Sequence, residues 1–294
     1  MIPVCLSSPR WKHRGFSIGN NHSEVIKTLP DFEIIQHQFY GGHDITIVPI
    51  SDVHLGSPDC MEQEFISFIK TVKETPNVYL ILGGDLIDNG TKSSVTNPFK
   101  ATMPPSQQKK EMANILAPVR DRCLCFVPGN HERRSGKDAD DDPCYDIAAK
   151  LDLEHLYREN IAFVKIQLGM KERKNGTMAA GYQRPSYCLV VTHGSGGGIL
   201  TGGAVNRNER FGYVIDGMDA LIVGHTHKPF TSQPGKIKID LFNNKVTIKP
   251  FKVISSTSWL EYGGYAAQKM LLPTTRCLNT LTLRGDKKEI VVTM

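Results

Sequence analysis

The sequence predicts an α/β domain built in layers. Three observations carry that expectation. Between residues 32 and 85, short runs of Val, Ile and Leu alternate with a segment whose apolar residues recur at helical spacing. From 237 to 294 the chain turns strand-rich. The composition, 40% hydrophobic and 22% charged, is that of a soluble globular protein. At 294 residues the chain can bury a substantial core, and one domain over 1–294 is expected, with residues 1–31 left unassigned.

Taken in order, 32–40 (FEIIQHQFY) reads as a strand, Gly41 and Gly42 turn the chain, and 43–50 (HDITIVPI) reads as the next strand. Phe65, Ile66, Ile69 and Val72 share one face of a helix over 62–73, which Pro76 closes. Residues 78–82 form a buried strand running into Gly83-Gly84-Asp85. Three prolines make 91–105 a loop and a candidate lid. Met112, Ile115 and Leu116 mark a helix over 107–117, with Pro118 at its end. A strand at 123–127 leads into Gly129-Asn130-His131-Glu132, and the polar run 135–143 (SGKDADDDP) reads as a loop. Then follow a helix over 145–156, strands at 161–168 and 186–192, and a Gly-rich loop at 194–203. A helix is expected over 207–215, a short strand at 220–223, and a last hairpin at 278–283 and 289–293.

Charge and cysteine usage narrow the function classes. The net charge of +5 permits an anionic substrate, but the basic clusters (171–174, 287–288) are short and make no nucleic-acid-binding stripe. The seven cysteines are odd in number and form no C-x-x-C, which suits free thiols in a reducing cytoplasm. The N-terminus lacks the apolar core of a signal peptide, and no apolar run approaches membrane-spanning length. A cytoplasmic protein without membrane contact is expected; the sequence leaves the oligomeric state open.

The chemistry concentrates at five places where His, Asp or Asn directly follows an apolar run. These are SDVH (51–54), GGDLIDNG (83–90), VPGNHERR (127–134), VTHG (191–194) and VGHTH (223–227). Asp52 and His54 are two apart, as are His225 and His227, so each pair can face one way at a strand end. Ligands of open α/β sheets bind beyond the carboxyl ends of strands, where five such ends can converge. Carboxylate, imidazole and amide oxygen, with no thiolate, suit Mn, Fe or a catalytic Zn. Two such metals polarise a phosphoryl oxygen, supply a hydroxide near neutral pH and stabilise the attacking and leaving oxygens.

The ordered set DVH, GGDLID, GNHE, THG and GHTH resembles the calcineurin-like metallophosphoesterase family over Asp52 to His227. The resemblance implies a two-sheet β-sandwich flanked by helices, a four-layer fold, and a phosphoester substrate. It implies two divalent ions, Mn first, with Fe or Zn as alternatives. Asp52, His54 and His227 would hold one, and Asn130, His193 and His225 the other. Asp85 would bridge both. His131 would contact phosphate and protonate the leaving oxygen, with Asp88 orienting it or else capping a helix. Arg133 and Arg134 read two ways, as partners of a substrate phosphate or of the acidic residues 138–142; the internal pairing is favoured. Glu132 reads as structural, and Trp259 and Tyr262 as core rather than as a pocket for a base.

The expected function is therefore metal-dependent phosphoester hydrolysis. Protein phosphatases of the family usually carry Arg where this chain has Asn89, which favours a phosphodiesterase, either a nuclease or a nucleotide phosphodiesterase. A phosphomonoesterase and a non-catalytic metal-binding scaffold are the alternatives; the complete ligand set speaks against the scaffold.

Overall fold

The computed structural model describes residues 32–92, 94, 97–170, 184–196, 200–273 and 277–294. The basic cluster at 171–174, Cys5, the unassigned N-terminal residues and parts of the 91–105 and 194–203 loops lie outside them.

Thirteen strands and six helices alternate along the described chain. Their order is β1 (Ile34–Tyr40), β2 (Ile45–Ile50), α1 (Glu62–Glu74), β3 (Val78–Leu82), α2 (Pro105–Leu116), β4 (Cys123–Phe126), α3 (Asn130–Ala139) and α4 (Pro143–Lys150). There follow β5 (Ala162–Met170), β6 (Ser186–Thr192), α5 (Thr201–Val214), β7 (Ala220–Val223), β8 (Phe230–Ser232), β9 (Gly235–Asp240), β10 (Lys245–Pro250) and β11 (Lys252–Ser255). The chain closes with α6 (Gly264–Gln268), β12 (Thr280–Leu283) and β13 (Ile290–Thr293).

The strands form a five-stranded sheet, β13-β12-β2-β3-β4, a six-stranded sheet, β1-β5-β6-β7-β11-β8, and a separate β9–β10 ribbon. Strands β2, β3 and β4 run parallel, as do β6, β7 and β11, so each sheet delivers several carboxyl ends to one edge. Side-chain alternation sorts the layers. Leu189, Val191, Ile222 and Ile254 join the core shared with Ile47, Leu80 and Phe126 of the other sheet. Their neighbours Val190, Leu221, Val223 and Val253 face the opposite way, onto a second cluster that Ala204, Val205 and Phe211 of α5 cover. Helix α1 buries Phe65, Ile69 and Val72 in the shared core. The result is the expected two-sheet sandwich flanked by helices.

Three helical boundaries differ from the sequence reading: the helix expected over 145–156 ends at Lys150, with a separate 3-10 turn at Glu154–Leu156, and two others shift as follows. Residues 135–143 are not a loop: α3 continues to Ala139, and α4 starts at Pro143 with the Asp142 carboxylate capping Tyr145 N at 3.0 Å. The buried residues of α3 are Glu132 and Ser135, so polar contacts hold it and no apolar period announces it. Helix α5 begins at Thr201, because Gly202 and Gly203 mask a helical start with poor intrinsic propensity. Trp259 belongs to the core, edge-on to Phe65 at 5.0 Å between ring centroids, while Tyr262 is exposed.

Candidate metal centre

The backbone, more than strand alternation, brings the polar residues together. Strand β2 ends at Ile50 and β7 at Val223, ahead of the residues in question. Asp52, His54, Asp85, His225 and His227 all adopt positive φ, between 51° and 69°. That left-handed region is uncommon for residues with a Cβ and is favoured by Asp, Asn and His among them. Each i, i+2 pair therefore converges because both residues are left-handed, not because a strand continues through them. Strained backbone of this kind clusters at functional sites.

Close backbone packing seats the turns on each other. A Cβ on Gly84 (φ +90°) would lie 2.3 Å from Gly129 N, and one on Gly129 would lie 2.1 Å from Asp85 Oδ1. The GGD and PGN turns are thus in contact, which the glycines permit. Glu132 ties them. It is 1% exposed, and its carboxylate accepts hydrogen bonds from the backbone N–H of Asp85 (2.8 Å), Leu86 (2.7 Å) and Gly129 (2.8 Å). Asp85 Oδ1 in turn accepts from His131 N at 2.8 Å, a carboxylate at the positive end of α3.

The seven polar residues at the five sequence positions meet in one cleft. Asp52 Oδ1 lies 3.1 Å from His227 Nε2, and His54 Nε2 lies 3.3 Å from the same nitrogen. On the other side, Asn130 Oδ1 is 3.1 Å from His193 Nε2 and 2.7 Å from His225 Nδ1. Asp85 Oδ2 stands between the groups, 3.2 Å from His193 Nε2 and 3.9 Å from His54 Nε2. Two sets, Asp52–His54–His227 and Asp85–His193–His225, have ligand atoms close enough to share a cation, and so does His54–Asp85–His131. His193 Nδ1 lies 2.8 Å from the carbonyl of Gly83, which only accepts, so the ring donates there and turns Nε2 to the cleft. Ser51 and the backbone N–H of His225 hold Asp52 Oδ2.

The donor set fits divalent cations. Asp52 Oδ1 is buried and makes no well-formed hydrogen bond among the described residues, its near neighbour being the His227 ring nitrogen, so a lone pair is left for a cation. Two pairs of ring nitrogens, His54–His227 and His193–His225, face each other at 3.3 Å. Electrostatics agree. Burial would raise the Asp85 carboxyl, but His193 and His131 outweigh it and hold the group well below the usual carboxylate range. Burial likewise opposes the low position of Asp52, which His227 enforces. Burial would lower His193, yet the Asp85 and Asp52 carboxylates raise it to about 10. Burial and then His131 push His54 well down; burial and then His193 lower His225.

His131 stands at the rim. Its Nδ1 lies 2.8 Å from the backbone carbonyl of Asp88 and 3.6 Å from the Asp88 carboxylate. Its Nε2 is 4.0 Å from Asp85 Oδ2, and its ring sits edge-on to His54 at 4.3 Å. Burial would lower its pKa, but Asp85 and Asp88 raise it overall. Arg133 donates to Asn160 Oδ1 (3.1 Å) and to the carbonyl of Glu159 (2.5 Å), and Arg134 to Ser94 Oγ (3.3 Å). The favoured pairing of Arg133 with the acidic stretch gives way to these bonds, and Asp141 is engaged by Lys109 at 3.0 Å.

Beyond His193 and His225 the centre opens into a cleft of about 500 Å³, lined by Arg133, Asn160, Arg207, Asn208 and Phe211. The sequence assigns no role to Arg207, and for Glu132 it gives a structural role without the partners. The signal for Glu132 was its place three residues after a helix-capping glycine. For Arg207 it was Gly196, over which the guanidinium packs so closely that a Cβ would lie 1.6 Å from it.

Fold, turns and polar cleft together are those of a metal-assisted hydrolase, and the chain belongs to the calcineurin-like phosphoesterase family, whose family model matches residues 45–229. That span contains every site residue named above. Among solved structures the chain is similar to the calcineurin-like phosphoesterase YfkN of Bacillus subtilis, at 13% identity and a TM-score of 0.37, over 85% of this chain and 90% of that one. It is also similar to a conserved Streptococcus pneumoniae TIGR4 protein described as a predicted phosphoesterase, at 9% identity and a TM-score of 0.33, over 85% and 98% of the two chains. No curated protein matches.

Proposed function

We propose that this protein is a dinuclear-metal phosphodiesterase, with a nucleic acid or a nucleotide as substrate. Asp52, His54 and His227 would hold one divalent ion and Asn130, His193 and His225 a second, with Asp85 placed to serve both groups. One observation supports this most: Asp85 Oδ2 lies within 4 Å of imidazoles from both groups, His54 and His193. Two divalent ions, with Mn the first choice, supply Lewis acidity to the phosphoryl group and activate the nucleophile.

The chain's own residues do the rest. His131 donates Nδ1–H to the Asp88 carbonyl, which leaves Nε2 facing the cleft. As an imidazolium it gives the Nε2 proton to the leaving oxygen and stays hydrogen-bonded to Asp88 throughout. Asp88 is a positioning residue, chiefly through its carbonyl. Arg133, on the cleft wall, faces substrate charge; Arg134 plays a lesser part. The 500 Å³ cleft beside His193 and His225 gives a second ester group a place to sit, which a monoester does not need. Asn89 argues the same way. It is fully buried, and its side chain donates to the His131 carbonyl at 2.7 Å, so this position braces α3 and does not reach for phosphate. Among the described residues no helix is long and apolar enough to cross a membrane, and the described cysteines are free thiols, consistent with a cytoplasmic site of action.

Paired variants test the roles. His131→Ala is expected to retain both metals and lose about 10²–10⁴-fold in turnover. Asp85→Asn is expected to lose metal, read by elemental analysis of the purified protein. If His131→Ala empties the site, His131 is a ligand, in the set it forms with His54 and Asp85, and the assigned proton donor is wrong.

A further inference from the structure

The β9–β10 ribbon stands apart from both sheets. Its register pairs Ile239 with Val246 and Ile237 with Ile248. Directly paired residues share a face, and alternate residues along a strand do too, so these four form one apolar surface. The opposite face carries the pairs Lys236–Lys249, Lys238–Thr247 and Asp240–Lys245. At the base, the Lys236 ammonium reaches the carbonyl of Ile215 and lies 5.3 Å from the Phe251 ring centroid. At its base the basic face therefore turns toward the body of the protein, with Lys238 and Lys245 exposed farther out, and the apolar face lies on the side away from that contact. Its exposure is extreme: Ile237 75%, Ile239 65%, Val246 69% and Ile248 74%, with Leu241 at 83% and Phe242 at 94% on the connecting turn.

We propose that this apolar face is a homodimer interface, in which two copies of the chain pair their β9–β10 arms face to face about a twofold axis. Three considerations select a second copy. The first is area. The four face residues present on the order of 500 Å², at the upper end of the ~300–600 Å² of the largest patch on a typical monomer, and Leu241 and Phe242 on the adjoining turn extend the apolar surface toward the about 800 Å² per partner of a standard interface. The second is charge. All the arm's lysines lie on the other face, so bringing two apolar faces together buries none of them. A nucleic acid would instead take the lysine face and leave the apolar one in water, and an anionic bilayer under the apolar face would meet no lysine. The third is self-complementarity. The face consists of β-branched aliphatics with no buried charge or donor that calls for a different partner, and a patch of that kind satisfies an isologous contact. A two-stranded ribbon is marginal on its own in water and gains support from such a contact.

The test uses the full chain. Sedimentation equilibrium across protein concentration is expected to give twice the 32.7 kDa chain mass for the wild type. Ile239→Thr with Val246→Thr keeps β-forming residues on the arm and is expected to weaken the dimer at least tenfold, with metal content and phosphoesterase turnover unchanged. Lys238→Ser with Lys245→Ser is expected to leave the dimer intact. A wild type that remains a monomer at the highest concentration overturns the proposal, as does a dimer indifferent to the threonine pair. Monomeric protein that sediments with anionic phospholipid vesicles only when Ile239 and Val246 are present would assign the face to a membrane instead. None of these outcomes depends on which phosphoester the centre cleaves.

Discussion

His193 carries the sharpest consequence at the scale of single residues. Its Nε2 faces Asp85 and Asn130, and the neighbouring carboxylates hold its pKa at about 10. A metal ligand must be the neutral ring, so binding at this nitrogen has to expel a proton at any pH below that value. Metal loading at pH 8 is expected to release about one proton per protein from this residue, and affinity should climb about tenfold per pH unit until it levels near pH 10. Calorimetric titration in buffers of different ionisation heat reads the release directly. A heat independent of buffer would mean that His193 is already neutral or is not a ligand. Asp52 is divided in the same way, with one oxygen held by Ser51 and His225 and the other facing only the His227 ring nitrogen.

At the scale of elements, the centre depends on two turns locked together by Glu132. Its carboxylate is the acceptor for backbone N–H groups of both the Asp85 turn and Gly129. Glu132→Gln turns one acceptor oxygen into a donor facing Asp85 N and Gly129 N, so two charge-assisted bonds are lost. The expected cost is about 3 kcal/mol in denaturant unfolding, together with weaker metal binding. Unchanged stability would remove Glu132 from the role of clamp. Legibility followed the same physical lines. Strands β2, β3, β4, β6 and β7 announce themselves as apolar runs, and each residue proposed to hold metal stands just after one, so the cluster is legible in the sequence. Helix α3 has no apolar stripe, so past Arg134 its sequence looks like a loop. The positive φ angles that aim Asp52, His54, His225 and His227 have no signature beyond residue types that tolerate them. Glu132 could be placed in the turn, but the reach of its carboxylate across to Asp85 is a tertiary contact with no local sequence period.

For the whole molecule, the sandwich gives the centre its position and the cleft its shape. The five-stranded sheet contributes the turns after β2, β3 and β4, and the six-stranded sheet those after β6 and β7, so the site lies where the ends of both sheets meet. The face of α5 that carries Arg207 and Phe211 closes one side of the cleft beyond His193, which ties substrate choice to an element outside the metal motifs. We propose that this combined site cleaves phosphodiesters. The most direct measurement compares turnover of an aryl phosphodiester with that of the matching monoester by the Mn-loaded protein, with Asp85→Asn as the blank. Faster cleavage of the diester, abolished in the blank, is the expected result. Faster cleavage of the monoester, or equal rates in wild type and blank, would contradict it.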